Sequence, residues 1–392
     1  MPAQEFNSWA STGAMIYLDN NATTRVAPEV REAMRPFLDD LYGNPSSVHE
    51  FGHRIRDHVE HAREEVASLL GCRSSEIVFT SCGTESINTA IRGVLPFRRG
   101  KHRIVTSTVE HSAVLETCAR LEREGVTVIK IGVDREGLPD LDSFEEAVDS
   151  QTALVTVMLA NNETGVLFPV EEMARMAKEK GALFHCDAVQ AVGKIPVALA
   201  DSGIDLLSFS GHKFHGPKGI GGLYIRRGIR IAPLLCGGGQ EKNRRAGTEA
   251  VPNIIGLGAA ARLACAYFDE MASRVRELRD RLEEGVVARI PGVTLSGYRT
   301  QRLPNTSNMT FLGTEGEPIL QGLSEQGVCV SAGSACTAEK SQPSHVLKAM
   351  GRSDEESIGS LRFSLSRYTT MEEVEHVLKV LPAIVGRVRN LA

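Results

Sequence analysis

Residues 205–219 read "DLLSFSGHKFHGPKG". The first half is a mostly apolar run typical of a buried strand, and the second half places Lys213 between two histidines among glycines. A solvent-exposed loop does not need a lysine between two histidines, whereas a site that holds an uncharged amine beside an anion does. We therefore expect a functional site at the point where this strand ends.

Short apolar runs of the same kind recur earlier in the chain and alternate with amphipathic stretches. The predicted strands are "EIVFT" (76–80), "RIVTS" (103–107), "TVIKI" (127–131), "ALVTVM" (153–158), "ALFHCD" (182–187) and "DLLSFS" (205–210). From Ile55 to Leu69, apolar residues recur every three or four positions and Gly71 follows, which predicts a helix. Nearly continuous apolar strands between helices are typical of a parallel sheet covered on both faces. The sequence therefore predicts an α/β fold with a mainly parallel central sheet.

The domain organisation is predicted from a change in this pattern. A long helical stretch covers about 251–289, and strands and helices become sparser beyond it. We predict a large domain at 15–264 and a smaller α+β domain at 265–392, with 15–27 packing on the small domain. The pattern also predicts that residues 1–14 form a disordered extension.

Composition excludes several classes of function. The chain has 392 residues, a formal net charge of −5 and 42% hydrophobic residues. This balance gives no general attraction to nucleic acid or to an anionic membrane. No apolar run approaches the roughly 20 residues of a spanning helix, and we see no export signal. Eight scattered cysteines without a C-x-x-C pair indicate reduced thiols and a cytoplasmic location.

Polar clusters follow five of the predicted strands, at the sheet edge where ligands of open parallel sheets bind. They contain Gly83 and Thr84, His111, Asn161 and Asn162, Asp187 and Gln190, and His212 and Lys213. Any one cluster could be a helix cap or a turn, but five at strand ends are hard to explain by capping alone. Gly83 and Thr84 open a helix, where free N–H groups and a hydroxyl can hold a phosphate.

Asp187 and Lys213 indicate the class of cofactor. Pyridoxal phosphate needs a lysine for its Schiff base and commonly an acid that faces its pyridine nitrogen. A buried lysine near other cations, here His212, His215 and Lys218, loses part of its preference for the charged form and becomes nucleophilic. The sequence therefore predicts a pyridoxal 5'-phosphate enzyme.

The chain also resembles a known family. In order, it contains "YLDNNATT", "GNPSSVHEFG", "FTSCGTES", "VEHSAV", "NNETG", "HCDAVQAVGK", "SGHKFHGPKGIG", "RRAGTE", "SAGSACT" and "RFSLSR". Together these motifs resemble the pyridoxal-phosphate cysteine desulfurases of the NifS/IscS type, a class V aminotransferase family, over about residues 15–392. The resemblance implies a fold-type I, aspartate aminotransferase-like homodimer.

The resemblance further implies a role for each matching residue. Lys213 would carry the cofactor, Asp187 would face the pyridine nitrogen, and Gln190 the ring hydroxyl. His111 would stack on the ring and could move protons. The phosphate would be held by Gly83, Thr84, Ser210 and His212, and by Thr248 of the partner subunit. Asn162 and Arg362 would position L-cysteine, Arg362 through a two-pronged contact with its carboxylate.

Cys336 would then carry the sulfur. It lies in the small, polar stretch "SAGSACTAEKSQPSH", which predicts a loop at about 329–343. We expect Cys72, Cys118 and Cys265, in helical patterns, to be buried instead. The resemblance implies that Cys336 accepts a persulfide, that L-alanine is released, and that an IscU/NifU-type iron–sulfur scaffold protein receives the sulfur. Transient ligation of a cluster by Cys336 on that scaffold, and a nitrogen-fixation role favoured by "SCGTES" and "TGVLFPVEEMA", are further expectations.

Three alternatives remain open at this stage. An aminotransferase or a selenocysteine or cystine lyase could use the same Lys213 and Asp187, although transamination needs no thiol. "HEFGH" (49–53) matches the H-E-x-x-H zinc peptidase pattern, although a turn precedes it and Gly52 weakens a helix. A catalytically silent binding protein is the third alternative, and the intact set of reactive residues argues against it.

Overall fold

The computed structural model describes residues 15–332 and 343–391, and within these ranges the strands form three sheets. The strands are β1 (Ile16–Tyr17), β2 (Ile77–Thr80), β3 (Arg103–Ser107), β4 (Thr127–Ile131), β5 (Thr152–Met158), β6 (Leu183–Asp187), β7 (Leu206–Ser210), β8 (Gly221–Ile225), β9 (Val293–Ser296), β10 (Thr306–Phe311), β11 (Val328–Cys329) and β12 (Ser360–Ser364).

The longer helices surround these sheets. They are α1 (Pro28–Met34), α2 (Glu50–Leu70), α3 (Gly83–Val94), α4 (Ser112–Arg123), α5 (Leu141–Ala147), α6 (Val170–Glu179), α7 (Gln240–Asn243), α8 (Val251–Glu270), α9 (Arg276–Arg289), α10 (Gly316–Glu325), α11 (His345–Ala349), α12 (Asp354–Ile358) and α13 (Met371–Leu391). Short 3-10 helices lie at Arg35–Phe37, Ser74–Glu76, Leu95–Phe97 and Gly211–Lys213, and a π-helical turn at Met271–Val275 joins α8 to α9.

The central sheet has seven strands in the order β2-β8-β7-β6-β5-β3-β4. Strands β7, β6, β5, β3 and β4 are mutually parallel, whereas β8 runs antiparallel to both β2 and β7. All six predicted strands are present, and the mainly parallel α/β prediction is confirmed.

Strand β8 was not among the predicted strands. It begins with two glycines, which have low strand propensity. A Cβ atom at Gly222 would lie 2.1 Å from the ring of Phe209 on the neighbouring strand, so the ring occupies the space of the missing side chain. The packing of β7 against β8 therefore requires a residue that local pattern analysis does not assign to a strand.

Helices cover both faces of the central sheet, as the apolar strands predict. Val155 and Phe184 lie in a core cluster with residues of α2, α6 and α8. Leu154 belongs to a second cluster, which residues of α3 and α4 complete. Neighbouring strand residues alternate between the two clusters, so both faces of the sheet are buried. Because β7, β6, β5, β3 and β4 are parallel, their carboxyl ends lie at one edge, where the following segments can carry side chains into a shared cleft.

The predicted helix after Ile55 is α2. It buries the predicted apolar residues Ile55, Val59, Ala62, Val66 and Leu69. It ends at Gly71, whose φ of 58° is left-handed, so glycine suits this position. Most contacts of α2 with other helices are to α8.

The C-terminal elements form a separate core. β12, β10 and β9 make an antiparallel sheet, packed with residues of α9, α10 and α13. β1 pairs with β11, and Ile16 and Leu18 lie in this same cluster. The domain boundaries, including the placement of 15–27 on the smaller domain, stay predictions.

Among the described residues, the helical stretch Val251–Arg289 is long and apolar enough to cross a membrane by length and composition alone. Core helices pass the same test, and 44% of its most apolar window is buried inside the protein. Ile254 and Leu257 of this stretch belong to the core cluster shared with α2. Its apolar residues therefore have a packing role within the fold.

One prediction about the cysteines is wrong. Cys118 is buried and Cys72 is half-buried, but Cys265 is exposed. Residues 251–264 of α8 contribute repeatedly to the core around α2, and Cys265 lies on the other side of the helix. Helical context alone does not determine which face of a long helix is covered.

Candidate active site

One cleft of about 260 Å³ lies at the carboxyl edge of the central sheet. Nine of the predicted site residues line it: Gly83, Thr84, His111, Asn162, Asp187, Gln190, Ser210, His212 and Lys213. They come from the segments after β2, β3, β5, β6 and β7, apart from Asp187 and Ser210, which end their strands. The parallel sheet brings these strand ends together, as the sequence predicts.

Lys213 is the last residue of the short turn that follows β7. Its Nζ donates hydrogen bonds to the backbone carbonyls of Asn21, at 2.6 Å, and of Ala22, at 2.9 Å. These carbonyls belong to the segment after β1, which crosses the edge of the cleft. The amine is therefore positioned by backbone oxygens rather than left in solvent.

Asp187 and His111 lie near Lys213 and influence each other's charge. Burial raises the pKa of Asp187, while the neighbouring His111 and an N–H···O bond of 3.0 Å from Val189 act in the opposite direction. Burial also lowers the pKa of His111, so its imidazole is neutral near pH 7. Nδ1 of His111 accepts a hydrogen bond from the Ala113 N–H, which leaves the proton of the neutral ring on Nε2.

A second part of the cleft is suited to an anion. Helix α3 begins at Gly83, and a Cβ atom at this position would lie 2.8 Å from Cγ2 of Val189. The buried Oγ of Ser210 has no hydrogen-bond partner among the described residues. Nδ1 of His212 lies 3.1 Å from Oγ1 of Thr23, and burial lowers the pKa of His212 to about 4. Free N–H groups at a helix start, with a hydroxyl to spare, are donors for a phosphate.

Arg362 lies beside the cleft on β12 and is 2% exposed. Its Nη1 donates to the backbone carbonyl of Asn162, at 3.0 Å, and its Nη2 to Oδ1 of Asp19, at 2.8 Å. Its Nε has no hydrogen-bond partner among the described residues. The guanidinium is thus held on one side and retains a donor for a carboxylate.

One described site residue is not brought to this cleft. Thr248 lies on an exposed segment after α7 and does not line it. Cys336 lies outside the described residues. Two described residues on either side of it lie near the cleft: Ser331 pairs through its backbone with Arg362, and Ser344 donates to Glu163, next to Asn162.

The segment that precedes Thr248 has an unusual backbone. Glu241, Lys242 and Asn243 have φ values of 47°, 57° and 63°, three consecutive left-handed residues without a glycine. Both carboxylate oxygens of Glu241 accept hydrogen bonds of 2.8 Å from Arg63 of α2. This buried ion pair holds the turn in place together with a hydrogen bond of 3.0 Å from the Phe79 N–H to Oε2 of Glu241.

The sequence analysis did not identify Asn21, Asp19 or Lys194. Asn21 accepts hydrogen bonds from Lys213, Gln190, Lys194 and Asn305, and donates to Asn162, Thr306 and Ser364. The local signals were two motifs: "HCDAVQAVGK", which ends at Lys194, and "YLDNNATT", which contains Asp19 and Asn21 and has no strand or helix pattern that would place it in the cleft. Its position depends on the pairing of β1 with β11.

The zinc peptidase alternative does not fit the geometry. His49 precedes α2 in an extended conformation, and its Nδ1 accepts a hydrogen bond from the Gly52 N–H at 3.1 Å. An H-E-x-x-H site needs both histidines on one helical face with their ring nitrogens free for the metal. Across residues 15–332 and 343–391, no group of three or more His, Cys, Asp or Glu side chains could hold a metal ion.

Comparison with known proteins identifies the family. The sequence pattern of the class-V aminotransferases matches residues 16–377. A cysteine desulfurase of Trichormus azollae is 54% identical over 379 residues, which is 97% of this chain and 95% of the relative. Cysteine desulfurase NifS of Azotobacter vinelandii is 50% identical over 380 residues, covering 97% of this chain and 94% of the relative. The chain belongs to the cysteine desulfurases of the class-V aminotransferase family.

Solved structures agree with this assignment. A NifS-like protein superposes with a TM-score of 0.90 at 42% identity and covers 95% of this chain and 100% of its own. The structure of SspA in complex with cysteine superposes with a TM-score of 0.79 at 37% identity, covering 91% of this chain and 100% of its own. The predicted family, enzyme class and fold-type I architecture are confirmed.

The cleft also fits the cofactor of the cysteine desulfurases. These enzymes depend on pyridoxal 5'-phosphate, which confirms the cofactor prediction. The unpartnered Ser210 hydroxyl and the start of α3 match a phosphate, and buried Asp187 matches a protonated ring nitrogen. Lys213 lies in the turn directly after β7, and β7 pairs with β6, which ends at Asp187, so both side chains lie at the same end of neighbouring strands.

Proposed function

We propose that this chain removes sulfur from L-cysteine, releases L-alanine and keeps the sulfur as a persulfide on Cys336. The observation that carries the proposal is the cleft that joins Lys213 and Asp187 beside the buried guanidinium of Arg362. The C–S bond of the substrate breaks and an S–S bond forms to the Cys336 sulfur. Cβ of the substrate gains the hydrogen that completes the methyl group of alanine, so atoms and electrons balance.

Pyridoxal 5'-phosphate, when bound, withdraws electrons from the substrate Cα. Lys213 would attach the cofactor, and its amine would then take the Cα proton and return it. Asp187 would keep the ring nitrogen protonated, because a carboxylate beside it stabilises the cation. His111, neutral and with its proton on Nε2, would lie on the ring face and move protons. Gln190 would donate to the ring hydroxyl.

The remaining cleft residues would bind the anionic groups. The phosphate would contact the N–H of Gly83 and the side chains of Thr84, Ser210 and His212. Arg362 would bind the substrate carboxylate, assisted by Asn162. Arg362 already donates a hydrogen bond to the backbone carbonyl of Asn162, which supports a shared role for the two residues.

Cys336 would act as the nucleophile toward the substrate sulfur. Thiolate rather than thiol is the reactive form, so we expect its pKa to be lowered modestly. An aminotransferase or a selenocysteine or cystine lyase on this fold would not need Cys336, and this residue distinguishes those alternatives.

The assembly and partners belong to the same proposal. We place the enzyme as a homodimer in which Thr248 reaches the phosphate bound by the partner subunit. An iron–sulfur scaffold protein would accept the sulfur, and Cys336 would ligate a nascent cluster transiently during that transfer. The relatives named NifS support a nitrogen-fixation role. A cytoplasmic location is consistent with the seven free cysteines among the described residues.

The experiment is an anaerobic incubation of the cofactor-loaded enzyme with L-cysteine. We expect equal amounts of L-alanine and of sulfur on the protein, with the extra sulfur mapped to Cys336 by mass spectrometry. Cys329→Ser is the matched control, because Cys329 lies near the same segment and should not alter the outcome. Pyruvate and ammonia in place of alanine, or a persulfide on another cysteine, would contradict the proposal.

A further inference from the structure

Lys194 is a buried lysine to which the sequence analysis assigns no role. It is 5% exposed and lies after β6, in the segment that also carries Gln190. Its Nζ donates to Oε1 of Gln190, at 2.7 Å, and to Oδ1 of Asn21, at 2.9 Å. Lysine is almost never fully buried unless it is paired, so two such contacts point to a specific role.

Lys194 fixes the orientation of two side-chain amides. Burial, together with the nearby cations Lys213 and Arg362, lowers the pKa of Lys194. Even its neutral amine has two N–H donors, and the two amide oxygens accept one each. The reversed orientation of Gln190 would place its NH₂ group against Nζ of Lys194. The contact therefore directs Nε2 of Gln190 to the backbone carbonyl of Asn21, which it reaches at 2.9 Å.

That same carbonyl connects Lys194 to the reactive amine. The backbone oxygen of Asn21 accepts from Nε2 of Gln190 and from Nζ of Lys213, at 2.9 Å and 2.6 Å. The side-chain oxygen of Asn21 accepts from Lys194. Asn21 is thus held by Lys194 through its side-chain oxygen, and it holds Lys213 through its backbone oxygen.

We propose that Lys194 is a positioning residue of the active site, which orients the Gln190 amide and fixes Asn21 so that its carbonyl receives the amine of Lys213. The proposal rests on the proposed function, since Lys213 must be the lysine that attaches the cofactor. Without Lys194, the Gln190 amide can reverse and the Asn21 carbonyl loses its fixed place. The amine of Lys213 would then spend less time in the orientation that reacts.

The test compares Lys194→Met with a matched lysine outside the cleft. Lys101 donates to a backbone carbonyl instead, at 2.8 Å to Gly181, and Lys101→Met is the control that removes a lysine contact away from the cleft. Apoenzyme is mixed with pyridoxal 5'-phosphate, and attachment at Lys213 is followed by the visible absorption band and by borohydride reduction. We expect attachment to be about tenfold slower in Lys194→Met and unchanged in Lys101→Met.

Steady-state kinetics supply a second, independent readout. We expect kcat of Lys194→Met to fall about tenfold while KM for L-cysteine stays within twofold, because Arg362 and Asn162 are intact. A purely structural role would lower the folded fraction and reduce kcat alone in proportion to it, with a normal attachment rate in the folded molecules. That result, or wild-type behaviour of the variant, would overturn the proposal.

Lys194→Gln keeps the experiment decisive if Lys194→Met does not fold. A glutamine can donate to one of the two amide oxygens but not reach both, so attachment should be intermediate between the wild type and the methionine variant. Wild-type rates in Lys194→Gln would count against the proposal. The wild-type enzyme tests the proposed function separately, because borohydride must fix the cofactor at Lys213 and L-cysteine must give alanine whatever Lys194 does.

Discussion

Nη2 of Arg362 donates a hydrogen bond of 2.8 Å to Oδ1 of Asp19, a residue 343 positions earlier in the chain. The contact places a carboxylate of the N-terminal segment against the guanidinium that we expect to bind substrate. Asp19 could compete with the substrate carboxylate or hold Arg362 ready for it. The second donor contact, to the Asn162 carbonyl, favours a holding role, because both contacts fix one side of the guanidinium.

We therefore predict that Asp19→Ala raises KM for L-cysteine about tenfold, which corresponds to about 1.4 kcal/mol of lost substrate binding. Cofactor attachment at Lys213 should be unchanged. Asp149→Asn is the control. It weakens an ion pair with Arg103 at the amino end of β3, away from the cleft, and should keep its KM for L-cysteine. A lower KM in Asp19→Ala would instead show that Asp19 competes with the substrate.

The second prediction concerns Cys336. Cys336→Ser should bind pyridoxal 5'-phosphate normally and keep its visible band, because no part of the described cleft depends on the thiol. It should form no persulfide and release no alanine in repeated turnovers, because a serine hydroxyl does not accept the substrate sulfur. Alanine release is measured by chromatography after anaerobic incubation, and full turnover would remove Cys336 from the mechanism.

The third prediction concerns the start of α3. A Cβ atom at Gly83 would lie 2.8 Å from Val189, so Gly83→Ala must displace the helix start or the segment after β6. We expect the dissociation constant for pyridoxal 5'-phosphate to rise at least tenfold, which fluorescence titration of the apoenzyme measures. Gly132→Ala is the control, since nothing lies within 4 Å of a Cβ atom there. Equal affinity in both variants would argue against a phosphate site at this helix.

The fourth prediction follows from His185 in the central sheet. It is fully buried between Thr156 Oγ1, at 2.8 Å, and Ser208 Oγ, at 2.9 Å. Burial lowers its pKa from 6.5 to about 3. Below pH 6.5 the unfolded chain binds a proton at this residue and the folded protein does not, so the stability contributed above pH 6.5 is lost as the pH falls toward 3.

Each pH unit in that window should lower the free energy of unfolding by about 1.4 kcal/mol on account of His185. Urea unfolding of the apoenzyme between pH 6.5 and 4.5 measures the slope, with pH 7.5 as the reference. His185→Gln removes the titrating group and should flatten the curve by this amount, even though it lowers stability at pH 7.5. An unchanged slope would mean that His185 is protonated in the folded protein.

The fifth prediction concerns the left-handed turn before Thr248. Glu241→Gln removes the buried carboxylate that pairs with both Nη atoms of Arg63 and leaves only the more exposed Glu60 as a counter-charge. We expect a loss of about 3 kcal/mol in the free energy of unfolding. Glu65→Gln is the control, because its contact with Arg262 is largely exposed and should change stability by less than about 1 kcal/mol. Equal effects of the two substitutions in urea unfolding would show that the Arg63–Glu241 pair is not a stabilising contact.

The sequence predicts the parallel part of the fold well, because each strand and helix there carries its own periodic pattern. The helix from Ile55 to Leu69 and its end at Gly71 are examples. The pattern fails at β8, where Gly222 leaves room for the ring of Phe209, and at Cys265, which faces outward from α8. In both cases the outcome depends on what the element packs against, which its own periodic pattern does not show.

The amino-acid sequence by itself determined the family, the cofactor and the residues at the strand ends, among them Asp187 and Lys213. A parallel sheet brings its carboxyl ends to one edge, so local order along the chain is enough to place them. Only the tertiary structure revealed Asn21, Asp19 and Lys194 as residues that hold the reactive groups. Their positions depend on the pairing of β1 with β11 and on buried donors and acceptors that meet across the whole chain, and no local pattern encodes such contacts.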